Sequence, residues 1–157
     1  MNAPLTDASS SDTGHVVANQ SKAASEVPAD DRIDVAMIQM VSAPDLDLNL
    51  VRAEALIKEA AALGAELVSL PEYFCLLGRR DTDKVSLREP WGEGPIQQFL
   101  VDVAKRYEIW LAGGTIPLQC RDLRRVRNSQ LMIDPQGKVR ARYDKIHLLD
   151  RKSTRLN

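Results

Sequence analysis

A chain of 157 residues is long enough for one domain with its own core and too short for two large ones. Its 44% hydrophobic and 27% charged content is that of an ordinary globular protein. A formal net charge of -1 supplies no electrostatic attraction for nucleic acid or for an acidic membrane, which leaves a small-molecule site or a protein interface.

Residues 1–31 are rich in Ser, Ala, Asp and other small polar residues without sustained periodicity, and are expected to form a disordered leader, because they bury too little apolar surface to offset ordering entropy. The first twenty have neither a basic start nor a continuous apolar centre, so no export signal is read. No later run approaches the ~18 apolar residues of a membrane span. Cys75 and Cys120 stand far apart without C-x-x-C spacing, which argues against a disulfide framework or a zinc knuckle. Reduced thiols and a cytoplasmic location are the expectation.

Order is expected to begin at "RIDVAMIQM", where Ile33, Val35, Ala36, Met37 and Ile38 form a nearly continuous apolar run suited to a strand buried on both faces. The period then changes. Leu46, Leu50, Ala53, Leu56, Ile57, Ala60 and Leu63 recur at helical spacing, with Gly64 placed to end the helix. "AELVSLPEYF" reads as a second strand that breaks at Pro71. A second helix is predicted over "GPIQQFLVDVAKRYE", where Pro95 follows Gly94 and Ile96, Phe99, Leu100, Val103 and Ala104 share a face. "IWLAGGTIPL" reads as a third strand running into a Gly-Gly bend. Asp134-Pro135-Gln136-Gly137, set between two apolar runs, predicts a hairpin. Strand, helix, strand, helix, strand implies an α/β layer protein with right-handed crossovers and a largely parallel sheet. In such sheets functional side chains gather just past the carboxyl ends of the strands.

Glu72 follows the strand "LVSL" and Pro71 and stands beside Tyr73 and Phe74. A carboxylate shielded by those rings would suit a general base, whereas Pro followed by Glu is also a routine helix start. Lys145 likewise follows a strand; it could pair with Glu72 and neutralise a developing oxyanion, or be a solvated loop lysine. His147 has no histidine partner apart from His15 in the leader, so it reads as a packed or supporting histidine, and no metal is assigned. Gly113-Gly114 lacks the spacing of a phosphate loop and is equally explained by a close backbone approach. The basic run Arg121–Arg127 reads as a solvated loop, and Cys75 as a small apolar filler more readily than a nucleophile.

Taken together, "VAMIQM", the long helix after it, "LVSLPEYF", "WLAGGTIP" and "RNSQLMIDPQGKVRARYDKIHLLD" resemble, in this order and spacing, the carbon-nitrogen hydrolase (nitrilase) superfamily. The resemblance runs from about Ile33 to Leu149 and rests on the paired P-E-x-F and Y-x-K-I-H-L motifs. It points to the branch of omega-amidase-like and deaminated-glutathione-amidase-like enzymes. It implies an α-β-β-α sandwich and hydrolysis of a non-peptide carbon-nitrogen bond of a small amide by a Glu-Lys-Cys mechanism, with no cofactor, in an intact parent that forms homo-oligomers. Carried over by motif, Glu72 would be the base that activates a thiol, and Lys145 would stabilise the tetrahedral intermediate. The nucleophilic cysteine of the family lies well downstream of the lysine, so residues 32–149 are expected to be the N-terminal part of the domain, truncated and inactive alone.

The final stretch, "DRKSTRLN", is basic and patternless. It is also the translation of GATCGGAAGAGCACACGTCTGAAC, which looks like the start of a common sequencing-library adapter, so residues 150–157 are expected to be a non-native tail. Two other readings compete with the hydrolase. One is a non-catalytic α/β binding or regulatory module with a structural Glu72–Lys145 pair. The other is a nucleotide-binding doubly wound domain, against which the missing glycine fingerprint counts.

Overall fold

The computed structural model describes residues 15–18, 32–80 and 82–146. The expected foreign tail, His147 and most of the expected leader lie outside the described residues. Within the leader, however, His15–Ala18 forms a strand, β1, antiparallel to β2 (Val35–Gln39) in the register His15↔Gln39 to Ala18↔Ala36. The expectation of a leader without structure is corrected there. β2 would otherwise present an open edge, and a short Val-Val segment is β-prone enough to pair with it.

The helix over Leu46–Ala62, α1, begins where Asp45 Oδ1 accepts the Leu48 amide at 2.9 Å. It ends at Leu63, followed by Gly64 at φ +92°, a conformation that glycine adopts without steric penalty. Its apolar stripe, Ala53, Leu56, Ile57 and Ala60, is buried. β3 (Leu67–Ser69) and β4 (Trp110–Ala112) lie parallel to β2. Between them come the single turn α2 (Asp83–Ser86) and α3 (Pro95–Arg106), which buries Ile96, Leu100, Val103 and Ala104.

The chain then departs from the largely parallel sheet expected. Gly113 and Gly114 separate β4 from a further strand, β5 (Ile116–Gln119), which pairs antiparallel with β6 (Val126–Ile133). β6 is antiparallel to β4 and to β7 (Val139–Asp144), giving the order β1-β2-β3-β4-β6-β5 with β7 also on β6. Only β2, β3 and β4 are mutually parallel. The reason is local: short connections cannot return a chain for a parallel pairing, so the segments after β4 pair antiparallel. The 134–137 turn forms as expected, with the Gly137 amide donating to Asp134 O at 2.8 Å.

α1 and α3 touch each other and pack on the sheet. Ala36, Ile38, Val68, Leu111, Leu131 and Ile133 meet them in one core. Burial of β2 on both faces is therefore corrected as well: Ala36 and Ile38 face the helices, while Ile33, Val35 and Met37 are exposed, Met37 by 65%. The described residues thus form a helical layer on one mixed sheet, whose second face carries apolar side chains. None of the described helices is long and apolar enough to cross a membrane.

Candidate active site

The parallel strands β3 and β4 end side by side, with Ser69 opposite Ala112. The Leu70 amide still donates to Ala112 O at 2.9 Å, after which Pro71 removes a donor and the chain turns. No helix starts at Pro71. Instead Tyr73 takes φ +56°, a left-handed conformation that costs a non-glycine residue about 1–2 kcal/mol. Its amide donates to Thr115 Oγ1 at 3.0 Å, which ties this turn to the bend after β4. From the other side, Asn49 of α1 donates to Cys75 O at 2.9 Å and exchanges hydrogen bonds with both main-chain groups of Ala43. Glu72 thus sits on a turn held from two directions.

Asn128 near the start of β6 and Lys145 just after β7 come to the same place, because the β6–β7 hairpin brings its open end towards the ends of β3 and β4. The structure brings Glu72 and Lys145 together: Lys145 Nζ lies 2.9 Å from Glu72 Oε1. Asn128 Nδ2 donates to the same oxygen at 2.8 Å. None of the described residues donates to Oε2. Glu72's hydrogen bond is the main reason the Lys145 ammonium is held above the ordinary lysine pKa, against the opposing effect of desolvation. Leu70, Glu72, Thr115, Asn128, Tyr143 and Lys145 help line an open cleft of about 320 Å³.

The expected aromatic shield around Glu72 is not what holds it. The Phe74 ring is fully buried, 6.3 Å from that of Phe99, and the Tyr73 ring lies 3.6 Å beneath Lys84 Nζ. The Glu72 side chain keeps 43% exposure and is held by an amide and an ammonium. Cys75, three residues on, is a core thiol: burial pushes its pKa up to about 12, so it is not poised as a nucleophile. Cys120 is partly buried after β5, its thiol 3.3 Å from Asp122 O.

Gly113-Gly114 is no phosphate cradle. Side chains there would strike Leu100 and the Pro71 carbonyl, so the pair is required by close backbone and helix approach. Arg124 and Arg125 of the basic run are largely exposed and share Asp122, as a solvated loop would.

Sequence reasoning missed Asn128, Thr115 and Asn49, which position the site, and also Glu89. Glu89 is 4% exposed and accepts the Ile96 amide at 2.5 Å and the Gln97 amide at 3.1 Å, capping α3 from outside the helix. The quoted segment "RNSQLMIDPQG" contained Asn128, but only the folded hairpin shows that its side chain reaches residue 72.

The carbon-nitrogen hydrolase family model matches residues 34–156. Deaminated glutathione amidase of Yersinia enterocolitica is 35% identical over 120 residues, which cover 74% of this chain and 41% of that protein. Human omega-amidase NIT2 is 37% identical over 117 residues, again 74% of this chain and 41% of the relative. The crystal structure of Saccharomyces cerevisiae Nit3, a member of branch 10 of the nitrilase superfamily, superposes with a TM-score of 0.65 at 30% identity, covering 73% of this chain and 44% of that one. The chain therefore spans 41% of the length of the two curated relatives named here. The mixed sheet with its helical layer is the corresponding part of the nitrilase-like α-β-β-α sandwich. On this match the chain belongs to the carbon-nitrogen hydrolase family.

Proposed function

We propose that the intact protein is an amidase that hydrolyses a non-peptide carbon-nitrogen bond in a small ω-amide or related acyl amide, with Glu72 as general base and Lys145 as oxyanion stabiliser. The observation that carries this reading is the 2.9 Å contact between these two side chains at the rim of the sheet. The names of the relatives, deaminated glutathione amidase and omega-amidase, favour a small amide as substrate.

The chemistry follows from the two oxygens of one carboxylate. Oε1 is occupied by two donors, and Oε2 remains to take a proton from a cysteine thiol. The thiolate attacks the amide carbon, and the Lys145 ammonium offsets charge gathering on the carbonyl oxygen. Glu72 returns its proton to the departing nitrogen as the carbon-nitrogen bond breaks, leaving a thioester. Water, deprotonated by the same carboxylate, then releases the acid and restores the thiol. The nucleophile in this reading is a cysteine downstream of Lys145 in the intact protein. Of the two cysteines present, one is buried in the core and the other lies in the loop after β5, so the 157-residue chain alone is proposed to be inactive.

Association into homo-oligomers, in a cytoplasmic setting, belongs to the same reading. The test is ammonia release from a panel of small ω-amides, beginning with succinamate, by the intact protein and its Lys145→Ala variant. A loss of about 10²–10³-fold in kcat is expected for the variant. An equal rate in both would remove Lys145 from the mechanism.

A further inference from the structure

We propose that Asn128 is the positioning residue of the Glu72–Lys145 pair: it fixes the plane of the Glu72 carboxylate so that one oxygen is pinned and the other is left to move a proton. This rests on the reading of Glu72 as the base.

Asn128 holds both members of the pair at once. Its Nδ2 donates to Glu72 Oε1 at 2.8 Å, and its main-chain carbonyl accepts the Lys145 amide at 2.8 Å. Residues 72 and 145 are far apart in sequence, and one side chain with its own peptide group connects them. The connection is rigid, because Asn128 is 1% exposed and lies in the β6 ladder opposite Pro117 of β5 and next to Ser129, which pairs with Asp144 of β7.

A second observation shows what the side chain is there to do. Asn128 Oδ1 is buried and has no hydrogen-bond partner among the described residues. A buried carbonyl without a donor is unfavourable, and most buried polar groups avoid it. Turning the amide over would bring no relief, since Oδ1 would then face Glu72 Oε1, acceptor against acceptor. The orientation is dictated by the carboxylate, and the orphaned Oδ1 is the cost of holding it. A residue needed only for packing would be apolar at this depth. With Oε1 receiving both the amide and the ammonium, the carboxylate cannot rotate about its last bond without breaking both contacts, so the direction of Oε2 is held constant.

Three measurements on the intact protein test this. Asn128→Ala is expected to lower kcat for ω-amide hydrolysis about 10–100-fold while KM changes less than about threefold, since orientation and not substrate affinity is lost. Asn128→Asp keeps the shape and replaces the donor by a carboxyl group that donates to Glu72 only while protonated. That carboxyl would face Glu72 from the 71–75 turn and Lys145 from the end of β7, and the phenols of Tyr73 and Tyr143 also act on that lysine. The ratio of Asn128→Asp to wild-type activity therefore falls as pH rises, whereas the Asn128→Ala ratio stays flat. An alanine variant within about twofold of wild-type kcat, or a flat ratio for the aspartate variant, overturns the proposal.

A crystal structure of the Asn128→Ala protein provides a readout that does not depend on turnover. The Lys145–Glu72 separation is expected to open beyond about 3.5 Å, and an unchanged contact would also overturn the clamp. A wild-type protein that hydrolyses none of the ω-amides would defeat the functional reading, and that separation would still decide the clamp.

Discussion

A Cβ on Gly114 would lie 2.3 Å from the Pro71 carbonyl oxygen, so the bend after β4 and the turn carrying Glu72 meet backbone to backbone. Gly114 also takes φ +58°, which L side chains rarely adopt. Gly114→Ala is therefore expected to destabilise the fold by roughly 2–4 kcal/mol, from the left-handed conformation and the forced separation of the two segments. Urea unfolding of the intact protein and the variant measures this. A loss below about 0.5 kcal/mol would mean that the contact gives way easily.

Glu89 provides a second structural test. Replacing it with Ala leaves the first amides of α3 and the Gln97 side chain without their buried acceptor, at an expected cost of about 2–4 kcal/mol. Glu89→Gln keeps one acceptor oxygen and is expected to lose less. Thermal melts of the two variants should rank alanine below glutamine below wild type, and the reverse order would contradict the capping role.

Acid stability follows from Asp134 and Asp144. For Asp134, burial pushes the carboxyl pKa up, but the Lys138 amide and the Arg140 guanidinium outweigh it and hold the group below the ordinary carboxylate range. For Asp144, burial is likewise outweighed by hydrogen bonds from Arg142, Ser129 and Arg127. A folded pKa below the unfolded one means that the unfolded chain binds protons first as pH falls. The stabilisation is thus complete above the unfolded carboxylate value of about 4 and is lost as pH drops through the lower folded values. Urea midpoints measured from pH 7 to pH 3 should hold steady and then fall below about pH 4, less steeply in Arg140→Ala. A midpoint unchanged at pH 3 would contradict this.

Thiol chemistry separates the two cysteines. Cys75 is fully buried with its pKa pushed up to about 12, whereas Cys120 is partly accessible. Iodoacetamide at pH 8, followed by peptide mass mapping, should label Cys120 and leave Cys75 unmodified until the protein is unfolded. Early labelling of Cys75 in the folded protein would show that the turn below Glu72 opens.

Much of this arrangement was legible in the residues, and the exceptions share a cause. The α1 stripe, the Gly64 stop, the Pro95 start and the Asp134–Gly137 turn depend on near neighbours, and they appear where spacing predicts them. The motifs of Glu72 and Lys145 pointed to one shared rim, and the side chains meet there. What eluded sequence reading depends on distant partners. The run around Met37 looks the same whether one face is covered or two, so the exposure of Val35 and Met37 could not be inferred. Periodicity does not reveal strand direction, so the β6–β7 hairpin was read from its turn while the antiparallel pairings of β6 with β4 and β5 were missed. Asn128 and Glu89 are single polar residues whose importance lies in acceptors and donors brought in from other elements.

Whether Glu72 is the base of a carbon-nitrogen hydrolase is decided by ammonia release from small ω-amides with the intact protein and its Glu72→Gln variant. The variant keeps an oxygen for Asn128 and Lys145 but no longer offers a basic carboxylate. The predicted result is a loss of about 10²–10⁴-fold in kcat with the thermal melt retained. A Glu72→Gln protein that releases ammonia at the wild-type rate would contradict it.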